Sequence, residues 1–419
     1  MILKYVIWVP CDYFIKRIMA SKMEISQEVA KQMLMEGGIL VILDMPVGTE
    51  FGIDVKSWNT GEKFKGVKMI PPGLHYIFYS PVNEYGDSAP RSGFFHSFSK
   101  SEFLVRRWDR KSESLSSEVI KAEEVSRLKS NILNLDKFLG PYPLDVWKTW
   151  KSLTNKISEE LVKKLSPQSG EVRSALELVP CDKENAKSSE ESKTPSRRLS
   201  GRKYKRLSTL GDKEEALLPQ MKPVAGTELR FTPIPEQHFP EGASPSEITR
   251  HSLDSSYVLE TILSSCERPS DLIGEMQFAF VCFLVGHSLE AFEHWMELVG
   301  VACRADSALL KHASFFTELM STLEVQLVSS CGDDSVAGDL LADVVTGQNA
   351  IYSALRALFQ NIREGDDVDA RLQARALHLK EQLVSRMGWD FGPDEAEEDE
   401  VEAGEYAPVV VELPDQFDK

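Results

Sequence analysis

The chain has 419 residues, of which 42% are hydrophobic and 27% charged, so it can form two or three globular domains and is not disordered as a whole. Acids outnumber bases by 65 to 48, a net charge of −17, which argues against a general nucleic-acid binder with a basic face. Residues 388–419 carry twelve acids and one base, so most of the excess charge lies in a short C-terminal segment.

The N-terminus gives little sign of a targeting signal, and the cysteines give little sign of a structural disulfide or metal site. Residues 1–22 are broken by charges and proline and lack a signal-peptide cleavage pattern, so we assign them to an unstructured N-terminal extension. The longest apolar run is far short of the about 20 residues that span a bilayer, so no membrane contact is expected. The six scattered cysteines form neither a disulfide framework nor a zinc motif, and a reducing compartment, cytosol or nucleus, is expected.

Residues 23–167 are predicted to form a β-sandwich-like domain. Its strand-like runs, apolar or alternating, are Ile39–Leu43, Phe51–Val55, Leu74–Tyr79, Gly93–Phe98 and Phe103–Val105. Short strands separated by Gly, Pro and Asn are typical of a sandwich or barrel-like sheet. Two amphipathic helices are expected to close the domain, one starting at Ser117 and one with a single apolar stripe from Trp150 to Leu165.

The next two segments are predicted to be a linker and a helical domain. Residues 168–220 are rich in Ser and Lys and poor in large apolar groups, which predicts a flexible linker. Residues 221–387 are predicted to be an all-α bundle or short superhelix of about six helices. Phe278 to Val285, apolar all round, indicates a central helix, and Gly286 is expected to end it. A second helix with a buried stripe of Leu289, Phe292, Trp295 (or Met296) and Val299 is expected to pair with it in an αα-hairpin. The overall fold class is therefore α+β, with two domains.

The final segment, residues 388–419, is predicted to be an acidic tail that ends in a strand. Nine acids lie between Asp390 and Glu405, which favours a solvated segment. The strand residues that could contact a partner are Pro408, Val409, Val410, Val411, Glu412 and Leu413. Three consecutive valines favour a strand with no neighbour in sequence to pair with. Such a strand could add to the edge of a partner's sheet, or fold back onto the chain's own β domain.

A search for catalytic motifs finds no phosphate-binding loop, zincin or nucleophile elbow. We therefore predict no catalytic residue, metal or cofactor. His75 and His96 lie in aromatic strands and are interpreted as hydrogen-bonded histidines of a half-buried sheet. A hydrolase built on the β domain around one of them remains the alternative. Glu290 and His294 would share a helix face, and we interpret them as a simple pair rather than metal ligands.

The linker carries two copies of one short pattern. Arg197-Arg198-Leu199-Ser200 and Lys205-Arg206-Leu207-Ser208 each place two bases two residues before a serine. This pattern is typical of basophilic-kinase substrates, so Ser200 and Ser208 are candidate phosphorylation sites. The alternatives are a solvated basic stretch, a nuclear-import signal, or an RNA contact that would make the chain an RNA-binding adaptor.

From about Met23 to Pro414 the chain resembles the A1-cistron splicing factor family. The matching residues of the β domain are Pro46, Phe51, Gly52, Asp54, Trp58, Gly66, Lys68, Pro71, Pro72 and Gly73. Those of the helical domain are Phe239, Pro240, Tyr257 and Trp295, and the ending from Ala407 to Pro414 is also similar. Residues 1–22 and the linker serines lie outside the resemblance.

The resemblance implies a non-enzymatic assembly factor of the U5 small nuclear ribonucleoprotein. Its implied partner is the large U5 scaffold protein, bound at the RNase H-like and Jab/MPN-like domains with the tail strand between them. Occupying this region would hold off the U5 helicase until the particle matures. A cytoplasmic protein that shuttles to the nucleus is expected, and direct RNA contact is not.

Overall fold

A computed structural model defines the fold. The residues it describes are 33, 36–83, 85–116, 118–180, 221–329, 350–365 and 368–391. Within this part of the chain a β-sandwich is followed by a helical domain, which confirms the α+β class with two domains. None of the described helices is long and apolar enough to cross a bilayer. Residues 1–22 lie outside the described residues, so their assignment stays a prediction.

The N-terminal domain consists of two five-stranded sheets. The strands are β1 (Gly38–Leu43), β2 (Glu50–Ile53), β3 (Lys56–Asn59), β4 (Gly66–Ile70), β5 (Gly73–Ser80), β6 (Ser92–Phe98), β7 (Phe103–Asp109), β8 (Ser114–Leu115), β9 (Leu139–Pro141) and β10 (Val172–Arg173). One sheet has the order β8-β7-β1-β4-β9 and the other the order β10-β6-β5-β2-β3. The pairs β1–β7 and β4–β9 are parallel.

The core of the sandwich is formed by alternate side chains of facing strands. Leu40 and Ile42 of β1 and Ile77 of β5 belong to one buried cluster, as a period of two predicts. The alternation expected from Phe51 to Val55 is cut short, because β2 ends before Asp54, which turns the chain with a φ of 57°.

The helices that close the sandwich differ from the prediction in their bounds. They are α1 (Ala122–Ser130), α2 (Ile132–Leu135), α3 (Trp147–Thr154) and α4 (Glu159–Leu165). The predicted start, Ser117, lies outside the described residues, and α1 begins at Ala122. The single stripe from Trp150 to Leu165 is divided between α3 and α4. The reason is Ser158, whose hydroxyl accepts a hydrogen bond from the Leu161 N–H and starts a new helix.

The C-terminal domain is helical from Pro245 onward. Its helices are α5 (Pro245–Leu253), α6 (Ser256–Ser265), α7 (Pro269–Leu284), α8 (Leu289–Cys303), α9 (Ala308–Lys311), α10 (Ala313–Glu324), α11 (Ala350–Glu364) and α12 (Ala370–Met387). The described part of this domain thus holds eight α-helices and a π-helical turn after α10 (Val325–Ser329) rather than about six helices, since the prediction did not separate short ones such as α9. The predicted central helix is confirmed, because α7 is buried along nearly its whole length.

The hairpin of α7 and α8 also forms as predicted, with a different buried face on α8. Gly286 lies at the turn, where an added Cβ would come within 2.5 Å of the Cys282 carbonyl oxygen. Leu289 was expected on the buried stripe, but it is exposed in the first turn of α8. His294, Trp295 and Val299 are buried on that helix.

The two domains share one continuous hydrophobic core. Tyr76 and Phe78 of the sandwich belong to the same buried cluster as the side chains of α7. Phe95 of β6 stacks on Phe278 of α7, with ring centroids 4.8 Å apart. The outer face of one sheet is therefore covered by the helical domain, and the two domains pack as one body.

The stretch assigned to the linker is structured at its start. Within residues 168–180, β10 pairs with β6, and β11 (Leu178–Pro180) pairs with β12 (Met221–Pro223). This ribbon brings Pro180 opposite Met221, so the two ends of the segment 181–220 meet. The segment is a long insertion in a hairpin, since the domains it was expected to connect already touch.

Candidate functional site

Asp54, one of the family-motif residues, is the centre of a buried polar network in the sandwich. Its Oδ1 accepts a hydrogen bond from the Tyr76 N–H at 3.0 Å. Its Oδ2 lies 2.8 Å from His75 Nδ1 and accepts the Tyr142 hydroxyl at 2.5 Å. The other ring nitrogen, His75 Nε2, lies 2.7 Å from the Pro71 carbonyl oxygen. Both imidazole nitrogens therefore lie within hydrogen-bond distance of an oxygen atom.

The network ties the β2–β3 turn to the β4–β5 turn and to the segment before α3. Burial and the nearby Asp54 charge raise the pKa of Tyr142 well above its ordinary value, so this hydroxyl stays a donor. Pro71, Pro72 and Gly73 form the second of these turns, with Gly73 at a φ of 133° that favours glycine. These motif residues hold the sandwich together.

The two strand histidines pack among aromatic rings, as the structural interpretation predicted. The His75 imidazole stacks on Trp147 at 5.2 Å and is fully buried. His96, directly opposite His75 on β6, bonds Glu102 Oε1 at 2.8 Å and packs edge-on against Phe98. No group of three or more potential metal ligands occurs among the described residues. His75 and His96 are therefore explained by packing and hydrogen bonding within the sandwich.

The other motif residues of the sandwich have equally local roles. Phe51 and Trp58 meet edge to face at 5.6 Å. Gly52 lies under the Phe78 ring, which an added Cβ would overlap at 2.1 Å. Gly66 leaves no room for a Cβ beside the Leu40 carbonyl.

Three further motif residues differ in exposure. Lys68 pairs with Asp136 at 2.7 Å. Trp295 is buried and donates its indole N–H to Gln326 Oε1 at 3.0 Å. Pro46 is exposed. Lys68 and Trp295 are thus explained by packing within the chain, whereas Pro46 is exposed and accepts a hydrogen bond from the Thr60 hydroxyl through its carbonyl oxygen at 2.8 Å.

The motif residues Phe239, Pro240 and Tyr257 lie near the surface of the helical domain. Phe239 is half-buried and Pro240 exposed, in the extended segment before α5. Tyr257 of α6 contacts the His251 ring at 5.6 Å. Packing inside the chain explains the presence of Pro46 and Pro240 less well than that of the other motif residues.

A polar clamp around Arg91, which the sequence analysis missed, joins the two domains. One terminal nitrogen of Arg91 donates to the Val285 carbonyl at 2.7 Å and lies 3.0 Å from His287 Nε2. The other donates to Glu50 Oε1 at 2.7 Å, and the guanidinium lies 4.5 Å from the centroid of the Phe78 ring. Burial and the Arg91 charge lower the pKa of His287 to about 4, so this histidine stays neutral against the arginine.

A second buried network ties the lead-in to the helical domain onto α7. Glu275 accepts hydrogen bonds from the Thr232 N–H and hydroxyl, both at 2.7 Å, and lies 2.8 Å from His294 Nε2. Phe231 stacks on the His294 ring at 4.1 Å. Burial opposes ionisation, but the His294 and Thr232 contacts outweigh it and hold the pKa of Glu275 below its ordinary value. His294 thus has the buried carboxylate of Glu275 as a partner, which the sequence analysis did not identify.

The signal for this second network was an acid inside an apolar helix. Glu275 and Gln277 interrupt an otherwise apolar run, and charged side chains are rarely buried unless they are paired. Gln277 bridges the domains, because its Oε1 accepts the Lys156 N–H at 2.9 Å and its Nε2 donates to Asn155 at 2.8 Å. Their polarity predicts buried partners, but it does not identify them.

The start of the predicted tail is part of the folded body. Trp389 and Phe391 are 5% and 4% exposed, although the sequence placed them in a solvated segment. They pack with Tyr352 and Phe359 of α11, and Lys380 Nζ donates to the Phe391 carbonyl at 2.7 Å. The tail is therefore anchored at Phe391, beyond the predicted boundary at residue 388.

Several predicted site residues lie outside the described residues. They are the tail strand, Pro408, Val409, Val410, Val411, Glu412 and Leu413, and the linker serines, Ser200 and Ser208. Their roles, and the RNA-contact alternative for the basic stretch, stay predictions. What the structure adds is the described part of the chain that adjoins each segment, which is Phe391 for the tail and the β11–β12 ribbon for the serines.

Comparison with known proteins gives matches over both domains. A family model described as the AAR2 N-terminal domain matches residues 36–167, and one described as the AAR2 C-terminal repeat region matches residues 231–392. "Protein AAR2 homolog" of Homo sapiens is 40% identical over 397 residues, 94% of this chain and 98% of that protein. The homolog of Caenorhabditis elegans is 33% identical over 369 residues, 88% of this chain and 98% of that protein.

Proposed function

The chain belongs to the AAR2 family, which is the A1-cistron splicing factor family, and from this membership we propose that it is a non-enzymatic chaperone of U5 particle assembly. Membership supports a splicing-related role in U5 assembly. The finer proposal is that the chain binds the RNase H-like and Jab/MPN-like domains of the large U5 scaffold protein and blocks premature helicase binding. The observation that carries the proposal is the match over both domains, at 40% identity across 94% of the chain.

The architecture suits a protein that covers a partner's surface. Because the sandwich and the helices share one core, they can present a single rigid face, and little freedom is lost when such a face binds. Phe391 is packed in this body, and sixteen residues (392–407) separate it from Pro408. At about 3.3 Å per residue the tether can reach up to roughly 53 Å, so the strand could span a partner's domain.

In this proposal the tail strand adds to a sheet edge between the two scaffold domains. Main-chain hydrogen bonds would supply affinity and the alternate side chains Val409, Val411 and Leu413 would supply selectivity. Joining the tail contact to the body contact makes the second contact intramolecular, so the pair binds far more tightly than either contact alone.

A joint pulldown of the two scaffold fragments tests the donated strand. The truncated chain should end after Phe391, because a cut at Met387 would also remove the buried Trp389 and Phe391 and weaken the fold. We expect truncation to weaken capture of the two fragments together by about a hundredfold, as when one of two linked contacts is lost. Undiminished joint capture would refute the strand.

A matched pair of point variants separates strand pairing from side-chain contact. Val410→Pro removes a ladder donor and obstructs the neighbouring strand, so we expect about tenfold weaker joint binding. Val410→Thr keeps the backbone N–H and the β-branched shape and should bind as the parent does. Equal binding by both variants would argue against β-augmentation while leaving the body contact possible.

The blocking role and the localisation need separate measurements. A fluorescently labelled helicase fragment bound to the scaffold fragments should be displaced by the full chain, and lack of displacement at saturation would contradict competition.

We propose a cytoplasmic protein that shuttles to the nucleus, and blocking nuclear export should then make it accumulate there. We also propose that phosphorylation of Ser200 and Ser208 alters partner affinity, which glutamate at both positions would test.

A further inference from the structure

A surface groove of about 560 Å³ lies between α11 and α12. Its apolar part includes Phe359 and Phe391, and Leu377, which is 58% exposed at its edge. An exposed leucine beside aromatic rings is an apolar surface that a ligand could cover. The groove opens at the point where the chain leaves the folded body, because Phe391 is one of its walls.

The lining of this groove is cationic. Arg356, Arg363 and Lys380 line it, and its described lining residues include no carboxylate. The Arg363 ion pair with Glu364 is 3.3 Å long, and both side chains are about 60% exposed (61% and 59%), so it is weak. Lys380 uses one of its three N–H bonds on the Phe391 carbonyl. The groove thus offers apolar contact and positive charge together.

The segment that follows Phe391 has the complementary character. Residues 392–405 carry eight acids and no base, and the first of them, Asp394, comes only three residues after Phe391. Three residues reach about 10 Å when extended, so this segment is held next to the groove at high effective concentration. The chain as a whole is acidic, with a net charge of −17. A cationic groove therefore differs in charge from the rest of the chain and can bind the acidic segment specifically.

We propose that the groove between α11 and α12 is the docking site for the acidic segment 394–405 of the same chain when no partner is bound. Docking places carboxylates near Arg363 and Lys380 and covers Leu377. The docking rests on the groove and on the charges of the tail. One consequence rests on the proposed function: a docked segment holds Val409–Val411 near the body until a partner's sheet takes the strand.

Photo-crosslinking in the full chain tests this inference without a partner. We would place p-benzoylphenylalanine at Leu377 and, in a matched chain, at Ser57 on the exposed edge strand β3. Mass spectrometry would then locate the crosslinked peptides. We expect crosslinks from Leu377 to 394–405, and yields that fall about fivefold in about 0.5 M salt, where the Debye length is below ~5 Å.

Charge variants show whether the groove cations cause the contact. Arg363→Glu should lower the Leu377 crosslink about fivefold, as expected when an exposed ion pair becomes a repulsion. Arg250→Glu, which makes the same charge change on the exposed helix α5, should leave it unchanged. Replacing the eight acids of residues 394–405 by the corresponding amides should abolish the crosslink.

Other results would overturn the inference. A tail crosslink from Ser57 in place of Leu377 would mean that the tail folds back on the sandwich. Crosslinks that join two chains and grow with concentration would assign the groove to a second copy. Absence of any tail crosslink at low salt would leave the groove for a partner's acidic peptide. A failure of the scaffold pulldown, by contrast, would leave the docking intact.

Discussion

Replacing residues 181–220 with four Gly/Ser residues should stabilise the protein. Residues Pro180 and Met221 are cross-strand partners in the β11–β12 ribbon, so a short turn can join them without moving either strand. The replacement shortens the closed loop from forty residues to four. Loop-closure entropy scales as about (3/2)RT ln n, which gives a gain of about 2 kcal/mol in the free energy of unfolding.

Chemical unfolding followed by tryptophan fluorescence is the assay. Trp150 reports on the helices that close the sandwich and Trp295 on the helical domain, and both are fully buried. Because the domains share one core, we expect a single transition for the parent and for the shortened chain, displaced to higher denaturant in the latter. Two separated transitions would mean that the domains fold independently and would refute the shared core.

A length-matched control isolates the loop entropy from any contact that the loop makes. Forty Gly/Ser residues in place of 181–220 should leave the free energy of unfolding within about 0.5 kcal/mol of the parent. If this control and the four-residue variant are both destabilised, the natural segment contributes contacts that the entropy argument omits. If only the four-residue variant is destabilised, the ribbon register is wrong.

Further predictions concern four buried side chains. The Tyr76 hydroxyl is buried without a hydrogen-bond partner among the described residues, so Tyr76→Phe should raise the free energy of unfolding by about 1 kcal/mol. Tyr142→Phe, which loses the bond to Asp54, should lower it by a similar amount, and equal effects in urea titrations would contradict this account. Glu275→Gln should lower the free energy of unfolding by about 2 kcal/mol. Because folding lowers the pKa of Glu275, its stabilising contribution is complete above the ordinary pKa of 4.5 and declines as the pH falls below that value. Melting curves of the variant should lack this decline. Trp389→Ala should cost about 3–5 kcal/mol, and an effect below 1 kcal/mol would show that the chain beyond α12 is not part of the core.

The sequence predicted the local elements because their signals are local. The apolar run from Phe278 to Val285 can only be a buried helix or strand, and its flanks favour the helix. Gly286, which must approach a carbonyl closely, marks the end of that helix. The strand pattern of the sandwich was equally readable, since β-branched and aromatic residues alternate there.

What the sequence did not predict depends on contacts between distant segments. Phe95 and Phe278 are apolar in any arrangement, and neither position indicates that the two rings stack across domains. The partners of Asp54 come from two separate segments, β5 and the stretch before α3, so its buried position follows only from the folded topology. Trp389 and Phe391 were assigned to the tail because the acids around them dominate the composition. The signal that could have placed them was Gly388, a left-handed residue that ends α12 and allows an apolar contact behind it.

The boundary at Phe391 also decides how the tail can act. A tail that began at residue 388 would leave the body beside the end of α12, and its acids would have no fixed start. Because Trp389 and Phe391 are packed, Asp394 can lie at most about 10 Å along the chain from Phe391, which is part of the groove wall. Docking in the groove and donation of the strand then compete for the same tail. A ligand that binds only the undocked tail shifts the equilibrium between docked and undocked tail by its own free energy of binding. Docking thus reduces the apparent affinity of the tail for its partner in proportion to the fraction of chains whose tail is undocked. The affinity of the body contact is unchanged. Arg363→Glu should therefore tighten joint capture of the scaffold fragments, whereas Val410→Pro should loosen it, and the same sign for both would show that the groove and the strand do not share the tail.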